Sequence, residues 1–170
     1  MKITQKLIEE MIEEIAGKEA IPIYTVLKNK KDVNEFDIAD KLKLTINQIR
    51  NSIYKFERFN LVSSYRKKDR KKGWYIYFFT FNKNEAEKLV IKMKQDKIKK
   101  LENLFNRESE HDFYTCPNQC MRLTLENAME NSFMCLECNS LLQPEKKERN
   151  VKKINNQIKE LKDKLKKIVE

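Results

Sequence analysis

Residues 116–138 read CPNQCMRLTLENAMENSFMCLEC and contain all four cysteines of the chain. Cys116 and Cys120 form a C-x3-C pair, and Cys135 and Cys138 form a C-x2-C pair after fourteen intervening residues. A structural zinc ion needs four ligands that converge tetrahedrally at about 2.3 Å, and two such pairs supply them with little ordered chain. In a reducing compartment, cysteines at this spacing are more often metal ligands than disulfide partners. The stretch therefore predicts a zinc ribbon with one structural Zn²⁺.

The N-terminus and the composition narrow the class of protein. The opening MKITQKLIEEMIEE has no apolar core of the kind that a secretory signal needs, so we expect a cytoplasmic protein. The 170 residues carry 36 Lys and Arg against 26 Asp and Glu, a net charge of +10. This excess favours phosphates or acidic protein surfaces as partners. No apolar run approaches the ~20 residues that span a bilayer, so no membrane partner is expected.

Helical periodicity dominates the first sixty residues, and two glycines and three prolines leave few sharp turns. Gly17 is placed to end a first helix, and Asn34 can cap a short later one. Thr45 and Gln48 have the spacing of a capping box. The helix that they open has one apolar face, formed by Ile46, Ile49, Ile53 and Phe56. Two short helices joined by a turn predict a helix-turn-helix.

A β-hairpin follows directly. Residues 61–65 and 74–79 have the β-branched and aromatic content of strands. The loop between them, RKKDRKKG, makes the whole a winged helix with a basic wing. Its cations are Arg66, Lys67, Lys68, Arg70, Lys71 and Lys72. They could serve solubility alone, but with Trp74 at the base they predict a surface that tracks a nucleic-acid backbone and stacks on unpaired bases.

Two further helices complete the chain. Residues 84–110 predict a charged linker helix with one partly apolar stripe. Near the C-terminus, apolar residues alternate at spacings of three and four, which is an a/d seam: Val151, Ile154, Ile158, Leu161, Leu165 and Ile168. This seam could pack on the linker helix or on another chain. We therefore expect a mainly α protein with small β elements: winged helix 1–83, linker helix 84–110, zinc ribbon 111–143 and basic C-terminal helix 144–170.

This order of modules resembles the archaeal transcription factor E alpha family, the counterpart of the large subunit of a eukaryotic general initiation factor. The resemblance covers about residues 1–143. It is carried by DIADKL at 37–42, QIRNSIYKF at 48–56, LVS at 61–63, GWYIY at 73–77 and RLTLENAMENSFMC at 122–135. Two departures stand out. The first knuckle is C-x3-C where the family usually has C-x2-C, and Met121 and Asn139 occupy positions where glycine is common.

The resemblance implies a basal initiation factor that binds the clamp and stalk of archaeal RNA polymerase and is not an enzyme. It implies contact with promoter DNA, including the unpaired non-template strand, and assistance in melting the promoter and stabilising the open complex. It leaves room for TATA-binding protein and a small beta subunit as further partners. On this reading Tyr54 and Phe59, aromatics beside the core face of their helix, are expected to contact polymerase.

Two alternatives belong to other classes. A dimeric winged-helix regulator would read duplex DNA through polar residues of the helix after Thr45. Those residues are Asn47, Arg50, Asn51 and Arg58. An enzyme would need a nucleophile, a base or an open metal site, and the sequence offers none that we can assemble. A zinc ion closed by four thiolates has no position left for substrate.

Overall fold

The computed structural model describes residues 3–70 and 73–169. The chain divides into two compact units, Met1–Met93 and Lys94–Glu170. The first unit contains α1 (Gln5–Ala16), a 3-10 turn (Lys18–Ala20), α2 (Ile21–Leu27), β1 (Val33–Asn34), α3 (Glu35–Leu42), α4 (Ile46–Glu57), β2 (Val62–Lys68), β3 (Tyr75–Phe81) and the start of α5 (Lys83–Glu110). The second contains the rest of α5, β4 (Phe113–Thr115), β5 (Arg122–Thr124), α6 (Leu125–Glu130), β6 (Gln143–Pro144) and α7 (Lys147–Val169).

Local sequence signals place the helix boundaries of the first unit. The Asn34 side chain accepts a hydrogen bond from the backbone N–H of Phe36 at 2.9 Å, which caps α3. Thr45 and Gln48 form the predicted capping box at the start of α4. α1 ends at Gly17, whose φ of +93° suits glycine and whose N–H donates to Glu13 O at 3.0 Å. These three predictions are confirmed.

The first unit is a winged helix. β2 and β3 form an antiparallel hairpin whose register runs from Val62 opposite Phe81 to Lys68 opposite Tyr75. The short β1, which the sequence did not predict, pairs with the other edge of β3 through Val33 and Phe79. The sheet order is therefore β1-β3-β2, with α4 leading directly into β2.

A single apolar core joins these helices to the sheet. Its fully buried large residues come from α1 to α4 and from the residue that precedes β2: Ile12, Ile23, Leu27, Ile38, Ile49, Ile53, Phe56 and Leu61. Ala86 and Val90 of α5 belong to the same cluster. The first turns of α5 are therefore part of the winged-helix core.

The ribbon of the second unit is built on a sheet of order β5-β4-β6. Tyr114 in the central strand lies opposite Leu123 on one side and Pro144 on the other. α6 follows β5 directly. Only Ala128, Leu142, Cys116 and Cys135 are buried here. Such a small apolar core stabilises a fold weakly.

The apolar seam of α7 packs back on α5. Ile154 and Ile158 are buried with Ile98, and a margin of partly buried residues surrounds them: Leu101, Leu104, Phe105, Leu161 and Leu165. An ion pair of 2.7 Å between Lys162 and Glu102 joins the same two helices. The sequence left two packing partners open for this seam, the linker helix and another chain. The structure shows it packed on the linker helix.

Candidate metal centre and nucleic-acid interface

The four cysteines converge on one point. Their sulfur atoms all lie within 4.8 Å of one another, with 3.4 Å between those of Cys116 and Cys138. None forms a disulfide. Sulfur atoms bound to one tetrahedral zinc ion at about 2.3 Å lie about 3.8 Å apart, so the donor set fits zinc in number, element and spacing. The four cysteines can hold a metal ion.

The extra residue of the first knuckle has a structural use. Gln119 adopts a left-handed φ of +58°, and its N–H donates to Cys116 O at 2.8 Å. In the second knuckle Asn139 takes this conformation with φ +57° and donates to Cys135 O at 2.8 Å. Asn tolerates this region better than most residues. Because the C-x3-C pair places its left-handed residue inside the knuckle, Met121 keeps a negative φ and no glycine is needed there.

Polar side chains surround the exposed sulfur of Cys138. Ser140 Oγ lies 3.4 Å from it, and the Asn118 amide donates to it at 3.5 Å. Hydrogen bonding with Ser140, and then with Asn118, lowers the pKa of Cys138 to about 5. The hydrogen bond with Cys138 is the main cause that raises the pKa of Cys120 to about 12. A hydrogen-bond donor such as the Asn118 amide stabilises a thiolate, which is the form of cysteine that binds metal.

Arg122 anchors the ribbon to its flanking segments, a role that sequence reasoning missed. Its guanidinium donates to both oxygens of the buried Glu108 at 2.9 and 2.6 Å, and to Glu145 at 2.7 Å. It also lies over the Phe113 ring, 3.7 Å from the centroid. Hydrogen bonds from Arg122 lower the pKa of both carboxyls. Arg122 is the only Lys or Arg within 111–143, which is the signal that could have identified it.

A second buried ion pair lies in the winged helix. Glu35 is fully buried and accepts two hydrogen bonds from Arg50, and one from the Tyr77 N–H at 3.2 Å. Arg50 also lies over the Tyr77 ring, 4.8 Å from the centroid. This network links α3, α4 and β3. Of the four side chains that a base-reading helix would use, Arg50 is engaged inside the protein, while Asn47, Asn51 and Arg58 are exposed.

The wing differs from its predicted form in one respect. β2 continues to Lys68, so Arg66, Lys67 and Lys68 lie on a strand and not in the loop. Strand pairing continues outward because cross-strand contacts favour it, such as Arg66 over the Tyr75 ring at 4.5 Å. All three side chains are exposed, as is that of Arg70. Lys71 and Lys72 lie outside the described residues.

The two faces of the wing carry different side chains. Residues directly opposite in an antiparallel pair share a face. One face continues the core outward with Arg66, Lys68, Tyr75 and Tyr77. The other carries Lys67 and a stacked pair that the sequence did not single out, Tyr65 and Phe78, with ring centroids 5.1 Å apart.

Trp74 stands at the base of the wing turn. It is 51 % exposed, and its carbonyl accepts from the Asp69 N–H at 2.8 Å. Gly73 has a φ of +77° and donates to Asp69 O at 2.9 Å, which closes the turn. A large aromatic plane thus lies at the surface beside the exposed cations of β2.

The two aromatics expected to contact polymerase lie at the surface. Tyr54 is 58 % exposed and Phe59 is 39 % exposed, whereas Phe56 between them is buried. Tyr54 borders an open groove of about 510 Å³ that Ile23 and Leu44 also line. Neither aromatic is needed to fill the core.

Fold and site together define a winged-helix and four-cysteine-ribbon protein. The sequence model of the family described as "TFIIE alpha subunit" matches residues 6–110. The chain is 30 % identical over 134 residues to Transcription factor E of Metallosphaera sedula, covering 78 % of this chain and 76 % of that relative. The chain belongs to the TFIIE alpha subunit family.

Two other relatives extend the match along the chain. Transcription factor E of Cenarchaeum symbiosum is 30 % identical over 149 residues, 87 % of each chain. Transcription factor E of Methanococcus maripaludis is 29 % identical over 161 residues, 95 % of this chain and 90 % of that relative. The relatives place the chain among archaeal transcription initiation factors, which accords with the expectation of a non-enzymatic protein. Within the described part of the chain, every helix is too short or too polar to traverse a bilayer.

Proposed function

We propose that this chain is a basal transcription initiation factor that binds archaeal RNA polymerase and promoter DNA, assists promoter melting and stabilises the open complex. Family membership supports the general role. The observation that carries the finer proposal is the wing, where exposed cations of β2 stand beside the half-exposed Trp74. Cations attract phosphates regardless of sequence, and an aromatic plane stacks on any unpaired base. A melted promoter presents both phosphates and unpaired bases.

The winged helix is better equipped to bind backbone than to read bases. Arg–guanine pairing is the commonest specific contact in the major groove, and the only arginine within α4, Arg50, is held by Glu35 and Tyr77. The a/d seam of α7, which could have made a dimer, is covered by α5. Both observations weigh against the dimeric sequence-specific regulator. We assign no catalytic role to any residue.

The ribbon suits a protein partner. Between 111 and 143 it carries Arg122 against four acids, Asp112, Glu126, Glu130 and Glu137, in a chain whose net charge is +10. Leu136 and Leu141 are 69 % and 64 % exposed. An acidic, apolar surface repels nucleic acid and fits a protein. We assign this surface, together with Tyr54 and Phe59, to contact with polymerase at its clamp and stalk.

Zinc is the metal that we assign to the cysteines. Cys116, Cys120, Cys135 and Cys138 would hold it as four thiolates, and the ion would supply folding energy that the small ribbon core lacks. The winged-helix, linker, ribbon and basic-helix division remains the organisation that we propose. TATA-binding protein and a beta subunit are further partners under the same proposal, which places the protein in the cytoplasm with the polymerase.

Retention on purified archaeal RNA polymerase tests this proposal. The full-length protein should bind polymerase alone, and bind more tightly when a promoter with a melted segment is present. Selection from random duplexes should yield no preferred sequence. A preferred duplex sequence without retention on polymerase would instead establish the regulator.

A further inference from the structure

The outer surface of α7 is strongly basic. The helix contains nine Lys and Arg and three Asp and Glu. Because Ile154 and Ile158 are buried against α5, the apolar side of α7 is occupied and its charged side faces outward. This charge has no role in the metal site or in the wing.

Four lysines of α7 lie along one edge of the helix. Lys152, Lys159 and Lys166 recur every seven residues, and Asn155 and Lys162 fall between them at helical spacing. We name these five residues the lysine edge. At 1.5 Å per residue it is about 21 Å long. Glu148 lies at its N-terminal end, Asp163 lies within one helical turn of both Lys159 and Lys166, and Glu160 projects further round the helix.

The charges of the lysine edge are available to a partner. Lys152, Lys159 and Lys166 are exposed, and in the described residues none of them forms an ion pair. Lys162 pairs with Glu102 on α5 and keeps half of its side chain in solvent. Four cations along a straight rod, with Glu148 at one end and Asp163 beside Lys159, keep an excess of positive charge that attracts a polyanion of matching length.

We propose that the lysine edge binds the phosphate backbone of duplex DNA. A duplex carries a negative charge about every 1.7 Å along its axis, so an edge of this length meets several phosphates. α7 contains no Phe, Tyr or Trp, and proteins that bind single strands use aromatic rings to stack on bases. The amide of Asn155 adds a donor of the kind that contacts phosphate. The inference goes beyond the proposed function, since this binding needs neither a promoter nor polymerase.

The experiment compares two variants of the full chain that have the same charge. Both are made in a background with Lys67→Gln, Lys68→Gln and Arg70→Gln, so that the wing contributes less binding and contributes equally in the two variants. The edge variant adds Lys152→Gln, Lys159→Gln and Lys166→Gln. The control variant adds Lys153→Gln, Lys164→Gln and Lys167→Gln, which lie on the same helix away from the edge. Anisotropy of a labelled promoter-free duplex gives the affinity across a salt series.

The edge variant should lose about tenfold or more in affinity at 0.1 M salt, and its salt slope should fall by about 2.7, or 0.9 for each lost phosphate contact. The control variant should keep most of its affinity and most of its salt slope. Circular dichroism reports helix content, and a Lys→Arg triple at the three edge positions should retain the parent slope. Equal losses in both variants, no loss in either, or equal competition by polyglutamate would overturn the proposal.

Discussion

Arg50 of α4 and the fully buried Glu35 of α3 form a two-point ion pair, with Nε–Oε2 at 2.9 Å and Nη2–Oε1 at 3.0 Å. Glu35 Oε1 also accepts the backbone N–H of Tyr77 on β3. The hydrogen bonds with Glu35 raise the pKa of Arg50. One carboxylate therefore joins β3 of the wing to α3 and α4.

The two partners of this ion pair should differ in what their loss costs. Arg50→Gln leaves a carboxylate buried without its cation, so we expect a loss of about 3–5 kcal/mol in the free energy of unfolding. Glu35→Gln leaves an arginine that can turn toward solvent, so its cost should be about 1–3 kcal/mol. Urea unfolding measures both. Asn51→Ala, at an exposed site on the same helix, serves as the control, and an Arg50→Gln variant as stable as this control would contradict the network.

The four cysteines should bind one zinc ion per chain. Cys135→Ser, or chelation, should unfold the ribbon because its apolar core is too small to fold without metal. The winged helix has its own core and should stay folded. Metal analysis gives the ratio, and hydrogen exchange followed by region separates the two units. Metal-free protein in which 113–144 stays protected would count against a structural zinc.

Arg122 should stabilise the second unit in a way that lysine cannot replace. Lysine presents a point charge and cannot bridge Glu108 and Glu145 with a planar fork, so Arg122→Lys should cost about 1–3 kcal/mol. Arg107→Lys alters the exposed partner of the same carboxylate, 3.2 Å away, and should be nearly neutral. Hydrogen exchange at the β5 amides measures this loss of stability, and metal analysis should still give one zinc ion per chain. Equal effects of the two substitutions would show that Arg122 has no special position.

Tyr54 should contribute to binding and not to stability. Tyr54→Ala and Phe59→Ala should weaken the affinity for polymerase while leaving the melting temperature nearly unchanged, since both side chains are substantially exposed. Phe56→Ala on the same helix removes a fully buried ring and should cost about 3–5 kcal/mol. Melting temperature and polymerase affinity are measured on all three proteins. A collapsed melting temperature for Tyr54→Ala would mean that the ring is a core residue.

Much of the fold could be predicted because its signals are local. The Thr45–Gln48 capping box, the cap at Asn34 and the glycine at the end of α1 each act within a few residues, and each is found in place. The cysteine pairs share this property, since each knuckle is closed by its own backbone hydrogen bond. Hydrogen bonds between residues this close in sequence can be predicted directly from the residue spacing.

What the sequence did not reveal depends on contacts between distant residues. Arg50 meets Glu35 across fifteen residues, and Arg122 meets Glu108 and Glu145 across fourteen and twenty-three. No spacing rule predicts which carboxylate an arginine will find at such distances. From the sequence alone, Arg50 was therefore grouped with the polar residues of α4 that could contact bases. The two-residue β1 and β6 were missed for the same reason, because they are strands only through their neighbours.

The basic wing is the part of the chain on which the proposed promoter melting depends. Lys67→Glu, Lys68→Glu and Arg70→Glu are combined in the full chain, and permanganate reactivity of thymines reports promoter melting by archaeal polymerase at several salt concentrations. We predict weaker stimulation on every promoter alike and a smaller salt dependence. Adding Trp74→Ala should reduce the free energy of binding to melted DNA by a further ~1–3 kcal/mol, which is the contribution of one stacked base. A variant that changes which promoters respond, while keeping the full salt dependence, would show that the wing reads sequence and would contradict the account.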